Sequence, residues 1–137
     1  MTNSCQSSCE REAVLTADAP APIGPYSQAI KHGSWVFCSG QIPLDPVTGQ
    51  MVSGDVQAQT EQVMKNLQAV LTAAGADWKS VVKTTIFLQS MDDFPAVNSV
   101  YGRYVGVEQP PARSTIEVAR LPKQARVEIE ALAILDS

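Results

Sequence analysis

The chain has 137 residues, enough for one domain with its own core and too few for two of ordinary size. Hydrophobic residues make up 45% and charged residues 18%, an ordinary globular balance, and the formal net charge is −4. Lys and Arg are scattered singly, without the basic stripe of a nucleic-acid binder, and no run approaches the roughly 18 apolar residues of a membrane span, so neither a nucleic-acid nor a membrane partner is expected.

At the N-terminal end, Met1 to Glu12 lacks the apolar run of a secretory signal and reads as a disordered tail, leaving residues 13–137 as the single folded domain. The tail holds Cys5 and Cys9, with no further Cys or His nearby to complete a metal site. The third cysteine, Cys38, lies in the apolar run Trp35-Val36-Phe37-Cys38 and reads as a small buried hydrophobe. An odd cysteine count without regular spacing is a poor disulfide framework and points to a reduced, cytoplasmic protein.

Pro20, Pro22, Gly24 and Pro25 make Ala19 to Tyr26 an extended loop. Ser27 to Lys31 and Trp35 to Ser39 are predicted strands joined by a turn at His32-Gly33-Ser34, with a short extra strand near Ala13 to Leu15. Gln41 to Val52 reads as loop, turning at Asp45 to Gly49. A helix follows, capped by Asp55, striped by Val56, Val63, Leu67, Val70, Leu71 and Ala74, and stopped by Gly75. Ser80 to Gln89 is β-branched and apolar, as suits a buried strand. A second helix is predicted from an Asp92 cap to Val105, with Phe94, Val97, Tyr101, Tyr104 and Val105 on one face and Pro95 in its first turn. Beyond Pro110-Pro111, strands are predicted over Ala112 to Arg120 and Arg126 to Leu135, separated by Leu121 to Gln124.

This order of elements predicts an α+β layer, with two helices on one face of a mixed sheet. The other face then needs cover, and self-association is the natural source of it.

The sequence contains no nucleophile elbow, phosphate-binding loop, HExxH, CxxC pair or dinucleotide fingerprint. The single histidine, His32, sits beside a turn glycine and reads as a bystander. An enzyme built on this chain is therefore expected to work without a metal, a cofactor or a histidine base. In the last two strands, alternation puts Arg113, Thr115 and Glu117 on one face, and Arg126, Glu128 and Glu130 on one face. If these strands pair, an Arg and a Glu approach across the sheet. A guanidinium binds a carboxylate in a fork, and a glutamate can orient and activate water. A structural salt bridge or separately solvated charges account for the same spacing.

Several motifs go further. Ile23-Gly24-Pro25-Tyr26-Ser27-Gln28-Ala29, Ser39-Gly40-Gln41-Ile42 and Val82-Lys83-Thr84-Thr85 resemble, in order, the pattern of the Rid/YjgF family in its RidA subgroup. So do Asp93-Phe94 with Val97-Asn98 and Tyr101, Pro111-Ala112-Arg113-Ser114-Thr115, and Leu121-Pro122-Lys123 leading to Glu128-Ile129-Glu130-Ala131. The resemblance covers nearly everything after residue 12. It implies a chorismate-mutase-like α+β fold and a homotrimer with clefts between neighbouring subunits. It implies that Arg113 binds a substrate carboxylate, that Glu128 holds or activates water, and that Tyr26 lines the cleft. Ser39, Gly40 and Asn98 are placed at or beside the pocket, as is Thr115, which stands where many relatives carry Cys. Glu130 matches a neighbouring glutamate without a catalytic role.

The activity so implied is hydrolysis of reactive 2-imino and 2-enamino acids, such as 2-aminoacrylate, to 2-keto acids and ammonia. The alternatives are a small-carboxylate or keto-acid-binding regulatory trimer, a ribonuclease or translation inhibitor, which the acidic charge and single histidine disfavour, and, by fold alone, a chorismate mutase.

Overall fold

The computed structural model describes residues 10–136. Cys5, Cys9 and most of the expected N-terminal tail lie outside the described residues, and the first strand already begins at Glu12.

The strands are β1 (Glu12–Val14), β2 (Ala29–His32), β3 (Trp35–Gln41), β4 (Val81–Leu88), β5 (Ala112–Glu117) and β6 (Val127–Ile134). The two α-helices are α1 (Val56–Ala73) and α2 (Phe94–Val105). They lie on one face of a single sheet ordered β1-β2-β3-β6-β4-β5, so the α+β architecture expected from the sequence is the one observed.

Local chemistry explains each element. Asp55 accepts from the Ala58 backbone N–H at 2.9 Å and starts α1. Gly75, at φ +86°, ends it in the left-handed conformation that costs glycine little. Between them Val63, Met64, Leu67, Val70 and Leu71 are fully buried, and truncating a leucine at such a site costs about 2–5 kcal/mol. The start of α2 differs from expectation. A one-turn 3-10 helix, Met91–Asp93, precedes it, and the cap is Ser90, whose hydroxyl accepts from the Asp92 N–H at 3.2 Å. Pro95 falls in the first turn of α2, where its missing N–H leaves no bond unmade.

Strand alternation divides the sheet cleanly. Val36, Cys38, Thr84, Ile86, Val127, Ile129, Ala131 and Ala133 point to the helices and are buried. The opposite face is apolar and open: Trp35 is 45% exposed, Phe37 49%, Val82 41% and Ile116 44%. Trp35 and Phe37 stack there with ring centroids 6.1 Å apart.

The topology settles a point the sequence leaves open. β5 and β6 do not pair, because β4 runs between them, parallel to β5 and antiparallel to β6. The β4-α2-β5 segment is a crossover unit, and two strands joined through a helix pair in parallel. Arg126 also departs from its expected place. It lies just before β6, and its guanidinium grips Asp93 through Nη2 at 2.8 Å and Nε at 3.3 Å, tying the start of β6 to the start of α2.

Candidate active site

Two separate groups of polar side chains stand out, and they hold the residues singled out from the sequence.

The first surrounds a cleft of about 610 Å³ whose lining includes Tyr26, Ser39, Gly40, Lys123, Glu128 and Glu130. A bulge in β3 shapes it. Cys38 pairs with Ala131 and Gln41 with Ile129, so Ser39 and Gly40 together oppose Glu130 alone. Bulges of this kind re-aim side chains beside active sites. Here the bulge brings the Gly40 backbone against the Glu128 carboxylate. A methyl group at Gly40 would overlap Glu128 Oε2 and stand 3.0 Å from its Cδ, so only glycine leaves the carboxylate its seat. Burial in this seat raises the Glu128 pKa above the usual carboxylate range, and the charge of Glu130 raises it further. Such a carboxyl is a better proton acceptor than a free glutamate.

The cleft walls are tied down by buried amides. Gln28, 1% exposed, accepts from the Thr16 N–H at 2.7 Å and donates to the carbonyls of Thr16 (3.0 Å) and Pro20 (2.8 Å), so it anchors the loop before β2. Asn66 of α1 donates to the Leu44 carbonyl at 2.9 Å and holds the loop after β3. Ser39 Oγ donates to the Ser27 carbonyl at 2.6 Å, which fastens β3 to the segment carrying Tyr26. The Tyr26 ring is half exposed at the cleft, its hydroxyl accepting from the Ile23 N–H at 3.4 Å.

The second group is on the helix side of the sheet's β5 edge. Arg113 donates through Nη1 to Asn98 Oδ1 at 2.6 Å, and its Cζ sits 5.2 Å from the Phe94 ring centroid and 5.1 Å from that of Tyr101. Two aromatic faces and one amide thus hold the guanidinium, leaving donors of its fork for an anion. Tyr101 shares a 2.7 Å hydrogen bond with Thr84. Its phenol is pushed up by burial, against the pull of Thr84 and Arg113. Thr115, two residues on, has its Oγ1 buried with no hydrogen-bond partner.

Within one chain the groups do not meet. Arg113 is in register with Thr84 on the helix side, whereas Glu128 is in register with Phe87, which alternates with buried Ile86 and Leu88 and so faces the open side. Strand β4 lies between them. The condition for a cross-strand Arg and Glu pair, that β5 and β6 lie side by side, is therefore not met within one chain.

The family model described as Endoribonuclease L-PSP matches residues 16–135. The chain belongs to the Rid/YjgF family. It is 48% identical over 128 residues to the 2-iminobutanoate/2-iminopropanoate deaminase of Mus musculus, covering 93% of this chain and 94% of that one. It is 53% identical over 129 residues to the chloroplastic Reactive Intermediate Deaminase A of Arabidopsis thaliana, covering 94% of this chain and 68% of that one. Among solved structures, RidA of an Antarctic Psychrobacter superposes with a TM-score of 0.86 at 40% identity, covering 90% of this chain and 99% of that one. E. coli TdcF with bound serine gives 0.85 at 40% identity, covering 91% and 99%.

Within this Rid fold the cleft also uses residues that sequence reasoning did not single out. Gln28 was visible only as one letter of the opening motif. Lys123 was visible only as one letter of the closing motif and of the connector between the last two strands, although it borders the cleft that holds Glu128. Among the described residues no three His, Cys, Asp or Glu side chains gather to hold a metal ion, and no helix is long and apolar enough to cross a membrane.

Proposed function

We propose that this Rid protein hydrolyses 2-imino acids to 2-keto acids and ammonia, in sites closed by a second copy of the chain. The supporting observation is the split geometry. A guanidinium presented by Asn98, Phe94 and Tyr101 lies on one side of the sheet, and a carboxyl seated on Gly40 lies on the other. Each is shaped for one half of the reaction, and neither can reach the other in one chain. The open apolar face carrying Trp35, Phe37, Val82 and Ile116 is a surface for a neighbour to cover, and a closed ring of three copies would bring the Arg113 edge of one to the Glu128 cleft of the next. The names of the Arabidopsis and mouse relatives support the same reaction class.

In this reading Arg113 binds the substrate carboxylate in its fork. Glu128 accepts a proton from water as the oxygen bonds to the imine carbon and passes it to the nitrogen, forming a neutral carbinolamine. The hydroxyl proton then passes through Glu128 to the nitrogen as the carbon–nitrogen bond breaks and the keto carbonyl forms, releasing ammonia. The imine plus one water gives the keto acid plus one ammonia, so no redox partner is involved. Because the imine is already electrophilic, holding it and the water in line supplies much of the acceleration. Tyr26 and Ser39 border the substrate on the cleft side, and Asn98 and Thr115 on the arginine side.

The test couples a serine or threonine dehydratase, whose released enamine tautomerises to the imine, to this protein and follows keto-acid formation. Wild type is expected to accelerate it and Arg113→Ala is not. Undiminished hydrolysis by Arg113→Ala would remove the carboxylate anchor. A wild type that adds nothing to the uncatalysed rate would leave a carboxylate-binding protein without this chemistry.

A further inference from the structure

Between β5 and β6 the chain makes a tight turn through Pro122–Gln124, closed by the Ala125 N–H donating to the Pro122 carbonyl at 3.1 Å, at the rim of the cleft. Two successive residues there that are not glycine adopt left-handed backbone angles, Lys123 at φ 52° and Gln124 at φ 59°. An L side chain is disfavoured in that region and glycine is not. Residues held in sparsely populated backbone regions cluster at functional sites. At position 123 the side chain so retained is a lysine, and it borders the cleft.

The charge around it gives it a task. Among the described residues, the charged side chains lining the cleft are Lys123, Glu128 and Glu130. Glu128 and Glu130 project from the same face of β6, and every 2-imino or 2-keto acid arrives as an anion. Two carboxylates repel such a ligand from the cleft it must enter, and within one chain Lys123 is the cation among the described residues lining the cleft that opposes them, before the Arg113 fork of a neighbouring copy takes hold.

We propose that Lys123 is a specificity-determining cation that draws anionic substrates into the Glu128 cleft against the repulsion of Glu128 and Glu130. This rests on the deaminase reading only for the identity of the ligand. The charge argument applies to any small carboxylate using the cleft. Lys123 is a capture residue, so its removal raises KM and leaves kcat nearly unchanged.

The test uses 2-ketobutyrate as the probe, titrated calorimetrically into the full chain and its Lys123→Arg, Lys123→Met and Lys123→Gly variants. The glycine variant removes the charge while relieving the backbone, so weaker binding by both neutral variants cannot come from a strained loop. Both are expected to bind on the order of fivefold more weakly at low ionic strength, with Lys123→Arg close to wild type. The difference should close at about 1 M salt, where the screening length falls to about 3 Å. Neutral variants that bind like wild type, an arginine variant as weak as methionine, a difference that persists at high salt, or a wild type that does not bind at all would each overturn the proposal. Imine hydrolysis by wild type, measured alongside, separates the two readings. Hydrolysis with lysine-independent binding sinks the role of Lys123 alone, and lysine-dependent binding without hydrolysis sinks the deaminase alone.

Discussion

Gly40 and Glu128 occupy one another's space: the carboxylate lies where a side chain at position 40 would be, with Cδ 3.0 Å and Cγ 3.1 Å from an ideal Cβ. The backbone of a bulged strand thereby serves as the seat of the proposed water-activating group. Gly40→Ala is therefore expected to displace Glu128 and lower kcat/KM by about 10²-fold, the size of a misplacement near 1 Å. The displaced group is a flexible, half-buried side chain that can swing aside, so stability should change little. Imine hydrolysis and a denaturant titration check both, and an alanine variant with wild-type kcat/KM would show that the carboxylate position is not critical.

Glu128→Gln should separate function from stability. Burial and Glu130 both raise the Glu128 pKa, so its charged form is the one the fold disfavours. The native state holds this proton more tightly than the unfolded chain does. The destabilisation is thus present above the raised native value and disappears as pH falls through the ordinary glutamate range. The variant should have the higher Tm at neutral pH, lose that advantage in acid, and show little hydrolysis at any pH. A lower Tm for the variant at neutral pH would contradict this.

If sites form between copies, two inactive variants should rescue one another. Arg113→Ala keeps the Glu128 cleft, and Glu128→Ala keeps the arginine edge. Unfolding and refolding equal amounts together should restore roughly a quarter of the sites by random mixing into closed rings. Hydrolysis that stays at the sum of the separate variants would place both groups within one chain's site or remove one of them from it.

Asn98 should act through Arg113. Its Oδ1 accepts the short 2.6 Å bond that orients the guanidinium. Asn98→Ala is expected to raise KM about tenfold or more, since a hydrogen bond to a charged group contributes about 1.5–3 kcal/mol. Steady-state kinetics with kcat nearly unchanged would confirm a loss of binding, and an unchanged KM would show that the two rings suffice.

On the far side of the helices, Glu61 accepts from the Tyr104 hydroxyl and from Arg103 Nη2 at 2.9 Å, linking α1 to α2. The Tyr104 bond, with help from Arg103 and against some desolvation, lowers the Glu61 pKa. Burial and Glu61 push the Tyr104 phenol up to about 12. Tyr104→Phe should cost about 1 kcal/mol at neutral pH. Glu61 contributes above its ordinary range and loses that contribution as pH falls through its lowered native value, so the difference from wild type should narrow in acid. Thermal melts at several pH values check the sign, and a difference that widens in acid would refute it.

Much of the molecule was legible from local pattern. The α1 stripe, its Asp55 cap and Gly75 stop, the alternation in β6 and the buried Cys38 all rest on chemistry within a few residues of one another. Even the ends of α2 were close, the error being that Ser90 rather than Asp92 makes the cap. The motifs singled out residues that the fold gathers into two groups, Tyr26, Ser39, Gly40 and Glu128 at the cleft and Arg113 and Asn98 at the β5 edge.

By itself, then, the sequence determined most of the elements, their apolar faces and the family, because side-chain periodicity, capping and motifs are local. The tertiary structure alone decided that Arg113 and Glu128 lie on opposite faces. The order of β5 and β6 depends on the α2 crossover laying β5 parallel to β4, a long-range choice that places one strand between two neighbours in sequence. It also decided that a bulge, not a residue type, seats the carboxylate on Gly40. A strand's register is set by the partner it meets across the sheet.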